Sequence, residues 1–308
     1  MMDVPQHSRL RVHWVLGFVQ LTFGALHVLG RHALGRIPPM PLAGLRVLGA
    51  APLLMAGAWR LDRIRPSRSD LPRLALLGFL GVFTNQLAFI QGLYLTSASN
   101  AAILMPSIPV FAQGFALALG VEQASAGILG GVALAATGAW VMLGSAGLSG
   151  SSALWGNLLL LVNCISYALY LVLQKPLLRR LPPLTVVAWA YLFGGAGVLA
   201  VTLPGLLHFP LNTVPAVAWA EIVYIILIPS SLNYVLNAWA IKKTTPTLAA
   251  AYIMLQPLVG VILAAAWLGE RLGWSQGLGF VLIASGLALV SHGVKSQKPP
   301  DQSRPAEG

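Results

Sequence analysis

Long apolar runs alternate with short polar or charged stretches along the whole chain. Each run is close to the ~20 residues that an α-helix needs to cross a bilayer. The pattern predicts ten spans, at about 13–30, 40–59, 72–93, 98–118, 125–144, 153–174, 184–204, 217–240, 246–267 and 275–292. Double prolines mark two entries in similar places, Pro38-Pro39 ahead of the second span and Pro182-Pro183 ahead of the seventh. The ends of the chain are polar tails.

One stretch occurs twice. Thr96–Glu122 matches Thr244–Glu270 at a spacing of 148 residues without a gap: Ala101 meets Ala249, Ala102 meets Ala250, Pro109 meets Pro257 and Glu122 meets Glu270. The match extends to Gly131 and Gly279, to Thr137-Gly138 and Ser285-Gly286, and upstream to Asn85 and Asn233. A repeat of this kind decides the fold. The chain divides into a cytoplasmic tail (1–12), a first five-helix repeat (13–146), a second five-helix repeat (147–293) and a cytoplasmic tail (294–308). Five is odd, so the second half enters the membrane from the side opposite to the first. The expected fold class is all-α integral membrane, with ten transmembrane helices arranged as two inverted-topology five-helix repeats.

Composition narrows the class. The chain is 57 % hydrophobic and 9 % charged, against roughly 25 % charged in soluble proteins. That is too little polar surface for a water-soluble globule. The net charge of +11 sits in loops, without a basic helical face interleaved with aromatics, which argues against a nucleic-acid partner. With the N-terminus in the cytoplasm, fifteen cations fall on that side: Arg9, Arg11, Arg60, Arg63, Arg65, Arg68, Arg73, Lys175, Arg179, Arg180, Lys242, Lys243, Lys295, Lys298 and Arg304. Arg31, Arg36 and Arg271 fall on the other. The asymmetry puts both termini in the cytoplasm. Arg9 and Arg11 precede the first apolar run as in a signal peptide, but without a small-x-small cleavage site it reads as an uncleaved first helix. The single cysteine, Cys164, lies in an apolar span and allows neither an intramolecular disulfide nor a cysteine metal site. No metal site and no cofactor are expected.

At this point the pattern resembles the drug/metabolite transporter superfamily, and within it the ten-helix EamA-type exporters. The residues that carry the likeness are Ser97–Ala102, Pro109 and Gly120-Val121-Glu122 in the first half, and Thr245–Ala251, Pro257 and Leu268-Gly269-Glu270 in the second. Arg46 and Ala168-Leu169-Tyr170 also look like the family. The likeness covers residues 12–292 and implies export of small metabolites, often amino acids, through the inner (plasma) membrane.

Polar residues inside spans are costly and mark candidate transport residues. Arg46 in the second span has no deep Asp or Glu to neutralise it. It attracts a substrate carboxylate or phosphate, or else it caps helix carbonyls or snorkels outward. Asn163, Tyr167 and Tyr170 share one face of the sixth span, and Gln20 and His27 share one face of the first, with Gly24 between them. Asn233 and Asn237 share a face of the eighth span, Asn85 is the repeat partner of Asn233, and Tyr252 and Gln256 precede Pro257. Each lines a substrate cavity or makes an interhelical hydrogen bond. In the register of the double prolines Arg46 pairs with Ala190, so the halves differ near the site.

Pro109 and Pro257, with Pro106 beside the first, are expected to kink their helices and free the carbonyls of Met105 and Ile253, making a hinge or a site wall. Glu122 and Glu270 are expected to cap the helix that follows each of them, with gating as the alternative. His27 is the candidate group for proton coupling.

The reading is a secondary transporter that moves a small organic metabolite, an amino acid or related solute, by alternating access, with membrane lipids as its other partners and a monomeric or homodimeric state. A nucleotide-sugar or phosphorylated-metabolite carrier is the alternative, although Arg46 is the one cation inside a span. An integral-membrane lipid-modifying enzyme needs clustered Asp, Glu or His, and the sequence shows no such cluster. The expectation is that the chain is not an enzyme.

Overall fold

A computed structural model of the chain describes residues 6–96, 101, 104–123, 125–143, 151–257, 259 and 274–296. The regular elements among them are helical. In chain order they are α1 (Gln6–Leu34), α2 (Pro39–Asp62), α3 (Leu71–Leu95), α4 (Ser107–Ala118), α5 (Ala126–Leu143), α6 (Ser151–Leu178), α7 (Pro183–His208), α8 (Ala216–Lys243), α9 (Pro246–Leu255) and α10 (Trp274–Ser296). Seven of them, all but α4, α5 and α9, are long and apolar enough to cross a membrane, and the chain is a multi-pass membrane protein. Its outer surface fits that solvent. Trp14, Trp59, Trp140, Trp155 and Trp274 are exposed and all lie near helix ends, where indoles settle at the membrane–water boundary.

The helices are not regular throughout, and their irregularities repeat. A π turn interrupts α3 at Phe79–Thr84, and another interrupts α8 at Ile228–Leu232, the same place on the 148-residue spacing. A wide turn leaves carbonyls for other donors. In α3, Leu80 O accepts from Ser166 Oγ at 2.6 Å, Gly81 O from Tyr234 Oη at 2.9 Å and Asn85 O from Asn163 Nδ2 at 2.9 Å. Side chains of α6 and α8 thereby complete the backbone of α3.

The two prolines act differently from the expectation. The predicted fourth span, 98–118, is regular helix over Ser107–Ala118, so Pro109 sits in the first turn, where its missing N–H costs little. The break precedes it, as a turn at Met105-Pro106. Met105 O is not free but accepts the N–H of Ile108 at 3.0 Å. Likewise α9 tightens into a 3-10 turn at Tyr252–Leu255, and Ile253 O takes the N–H of Gln256. In both copies the shorter loop of the tight turn supplies the donor that a proline four residues on cannot.

Close packing depends on glycine at a few points. A Cβ on Gly194 of α7 would lie 2.1 Å from the carbonyl oxygen of Gly78 in α3. Helices α5 and α10 run antiparallel in contact. A Cβ on Gly131 would lie 2.6 Å from Gly286 O, and one on Gly138 would lie 2.8 Å from Gly279 O. Small residues of this kind let membrane helices approach backbone to backbone.

Candidate functional site

A central cavity lies where α1, α2, α3, α6, α8 and α9 meet, with the turn before α4 closing one side. Its polar wall is Gln20 and His27 from α1, Arg46 from α2, Asn85 and Gln86 from α3, Asn163 and Tyr167 from α6, Tyr234 from α8 and Gln256 next to α9. Phe23, Leu26, Phe89, Met105, Ile108 and Ile253 supply the apolar part. The cavity is narrow, with about 60 Å³ open to the centres of water molecules, room for a few waters. Its lining draws on both halves at matched positions. Gln86 and Tyr234, Met105 and Ile253, and Ile108 and Gln256 are each 148 residues apart.

Arg46 enters from the third turn of α2 and is 3 % exposed. It therefore neither snorkels nor reaches a surface. Its Nε donates to Ser230 Oγ at 3.2 Å, on the π turn of α8. Nη1 is buried without a hydrogen-bond partner, and no carboxylate lies in ion-pair reach of the guanidinium, among the described residues. A buried cation in this state attracts any anion that the cavity admits.

Tyrosines pack beside it. The ring of Tyr234 stands edge-on to Tyr191 at 5.1 Å, tilted to Tyr170 at 5.9 Å and edge-on to Tyr167 at 6.3 Å. Tyr170 reaches this cluster because Gly81 has no side chain; a Cβ there would lie 2.3 Å from its ring. Hydroxyls and amides tie the group together. Tyr234 Oη is 3.1 Å from Asn85 Oδ1, Gln86 Nε2 donates to Tyr191 Oη at 3.2 Å, and Asn237 Nδ2 donates to Tyr167 Oη at 2.9 Å. Across the cavity Gln256 Nε2 donates to Gln20 Oε1 at 2.7 Å. His27 packs edge-on against Phe89 at 5.5 Å.

Of the sequence candidates, Arg46, Gln20, His27, Asn85, Asn163, Tyr167 and Gln256 are thus brought together. Tyr170 and Asn237 stand one layer behind, holding Tyr167. Asn233 points elsewhere: it donates to Val19 O at 3.3 Å and accepts from Thr22 Oγ1 at 3.0 Å, fastening α8 to α1. Tyr252 also leaves the cavity, with its hydroxyl 2.5 Å from His13 Nδ1. Glu122 does not cap the helix after it. Its Oε1 accepts the N–H of Thr247 at 2.9 Å, at the start of α9, because the turn after α4 directs it across the halves. Burial raises its carboxyl above the ordinary range, opposed by that N–H. Glu270 lies outside the described residues. Tyr234, Tyr191 and Gln86 were missed as site residues. Moving one position past the matched Asn85 and Asn233 would have found Gln86 and Tyr234.

Fold and cavity define a class: a multi-pass helical membrane protein whose polar interior is a space for a small solute. The EamA-like transporter family model matches residues 13–144 and 154–292. The chain belongs to that family, within the drug/metabolite transporter superfamily, and is a membrane transporter. It is 27 % identical over 284 residues to an uncharacterized transporter of Archaeoglobus fulgidus, covering 91 % of this chain and 97 % of that protein. It is 28 % identical over 258 residues to a protein of Streptantibioticus cattleyicolor named "Probable terminal-alkyne amino-acid exporter", covering 83 % and 85 %. A solved crystal structure superposes with a TM-score of 0.75 at 17 % identity, covering 94 % of this chain and all of the other.

Proposed function

We propose that this transporter exports a small anionic or zwitterionic metabolite, an amino acid or a close relative, through the inner membrane by alternating access. The observation that carries the reading is Arg46: a buried guanidinium at the cavity wall with a free Nη1 and no carboxylate partner among the described residues. A substrate carboxylate supplies the missing charge in a geometry that a guanidinium suits. The tyrosine and phenylalanine rings accept an apolar side chain, and the amides of Gln20, Asn85 and Gln86 are within the same space for an amine or hydroxyl. The amino-acid exporter among the relatives favours the same solute class.

Two inverted five-helix halves are the architecture we assign, with both termini in the cytoplasm. Three observations support it: the matched π turns of α3 and α8, the matched lining positions, and the antiparallel contact of α5 with α10. Halves of this kind open a shared midplane site to either side in turn. The narrowness of the cavity fits a state in which neither side is wide open.

The test is counterflow in proteoliposomes loaded with a mixed panel of amino acids and related metabolites, read by mass spectrometry. Selective exchange that falls by at least about tenfold in Arg46→Ala is the expected result. Exchange at normal rates in that variant removes the carboxylate anchor.

A further inference from the structure

The polar face of α6 does not end at the cavity. Asn163, Tyr167, Tyr170 and Gln174 follow one another at i, i+4, i+7 and i+11, a single stripe down the helix. The first two wall the cavity. Gln174 lies below it, fully buried at 0 % exposure, and neither of its amide atoms has a hydrogen-bond partner among the described residues. The hydroxyl of Tyr170 is in the same condition. On α4, one turn past Pro109, Gln113 is 3 % exposed, again with both amide atoms unpartnered among the described residues. Helices α4, α6 and α9 pack against one another, so the two glutamines are carried by helices of one three-helix junction.

Buried amides normally find partners, and leaving them without is costly. Leucine would fill either position at no such cost. Two glutamines in one junction therefore mark a place that is wet, or holds solute, in another state of the protein. At the far end of the same junction the chain is fastened across the halves. Glu122 accepts the N–H of Thr247 at the start of α9. Beside Gln174, Lys175 Nζ donates to Ile241 O at 2.5 Å and to Thr244 O, holding the end of α8 to α6.

We propose that Gln113, Tyr170 and Gln174 line the closed half of the solute path, between the central cavity and the Glu122 end, and that the Glu122–Thr247 contact is the latch that keeps it shut. The ligand of this segment is water or a solute with hydrogen-bond donors and acceptors in transit. The proposal rests on the alternating-access reading above, but its test does not depend on knowing the substrate.

Cys164 is the one cysteine in the sequence, so Cys164→Ser gives a cysteine-free background. Gln113→Cys and Gln174→Cys are placed in it singly, with Val172→Cys as control; Val172 is equally buried on α6 but on the opposite face. Each is reconstituted and exposed to a charged, water-borne methanethiosulfonate reagent, with and without Glu122→Ala. The path predicts that Glu122→Ala speeds labelling of both glutamine sites by at least about tenfold, the effect of losing one charge-assisted hydrogen bond, and leaves Val172→Cys unlabelled. Glu122→Gln, which keeps an acceptor oxygen, stays near the parent rate. It also shows whether Glu122→Ala acts by misfolding, since both must elute as monodisperse protein. If both glutamine sites remain as unreactive as Val172→Cys in Glu122→Ala, the path is wrong. If they label equally fast with and without Glu122, the latch is wrong. Neither outcome touches the Arg46 reading, which is judged by exchange.

Discussion

Gln256 donates to Gln20 at 2.7 Å, so the first helix of the chain is tied to the residue just ahead of Pro257. Both amides are buried, and Gln20 Nε2 has no partner among the described residues. Gln256→Leu strands Gln20 altogether and is expected to cost about 1–3 kcal/mol. The double variant Gln20→Leu/Gln256→Leu removes both polar groups and should recover most of that loss. Thermal unfolding of the detergent-solubilised proteins measures it. A double variant as unstable as the sum of the singles would mean that the pair is not what the two positions share.

Arg46→Met separates stability from transport. The charge is buried without a carboxylate, so an apolar side chain of similar length is expected to raise the unfolding temperature, by an amount corresponding to about 1–3 kcal/mol. Exchange of anionic or zwitterionic solutes falls in the same variant. A lower unfolding temperature would show that Arg46 serves the fold through Ser230 more than it serves the cavity.

Gly194→Ala and Gly130→Ala are a matched pair. The first sets a methyl 2.1 Å from a backbone oxygen of α3; at the second nothing lies within 4 Å. Gly194→Ala should lose at least about 3 kcal/mol, at the upper end for overpacking, and Gly130→Ala should be neutral or gain a few tenths through helix propensity. Yields of monodisperse protein and melting in detergent compare them. Equal behaviour would refute the close approach of α3 and α7.

Asp70 predicts a pH dependence at the Arg-rich end. The Ser67 hydroxyl at 2.7 Å, with the Ser67 N–H and Arg180 at 2.6 Å, holds its carboxyl below the ordinary 3.8. A depressed folded pKa adds stability that is fully present above the unfolded value and is lost as pH falls through the folded one. The gap in melting temperature between wild type and Asp70→Asn should be constant from neutral pH to about 5 and close below 3.8. Arg180 is about half exposed, so the gap is modest, about 1 kcal/mol. A gap that does not narrow at all as pH falls below 3.8 assigns the effect to packing.

The helices, the duplication and seven of the cavity residues were legible in the sequence because each rests on one-dimensional information. Hydropathy marks a span, and an ungapped match marks a repeat. Arg46 stands out because no acid accompanies it. What could not be read depends on where elements cross. Asn233 looks like Asn85 by repeat, yet it bonds α1, because the partners of α8 are not those of α3. Glu122 sits in a turn that sequence reads as an entry to α5, while its acceptor serves α9. The freed carbonyls were misjudged for a local reason. A proline marks where a helix cannot bond, but tight turns at Met105 and Ile253 had already supplied other donors.

The glycine contact between α5 and α10 constrains motion more than stability. Gly131 faces Gly286, and Gly138 faces Gly279, with Ala135, Leu282 and Val290 packed around these close approaches. Sliding along the helix axis would press those side chains into the opposite main chain. Rotation about the point of contact needs no such collision. One helix comes from each of the two stretches that the family model matches, so for the alternating access proposed above this seam is the expected pin: distances along it stay fixed, and small angles there become large openings at the far ends of the helices.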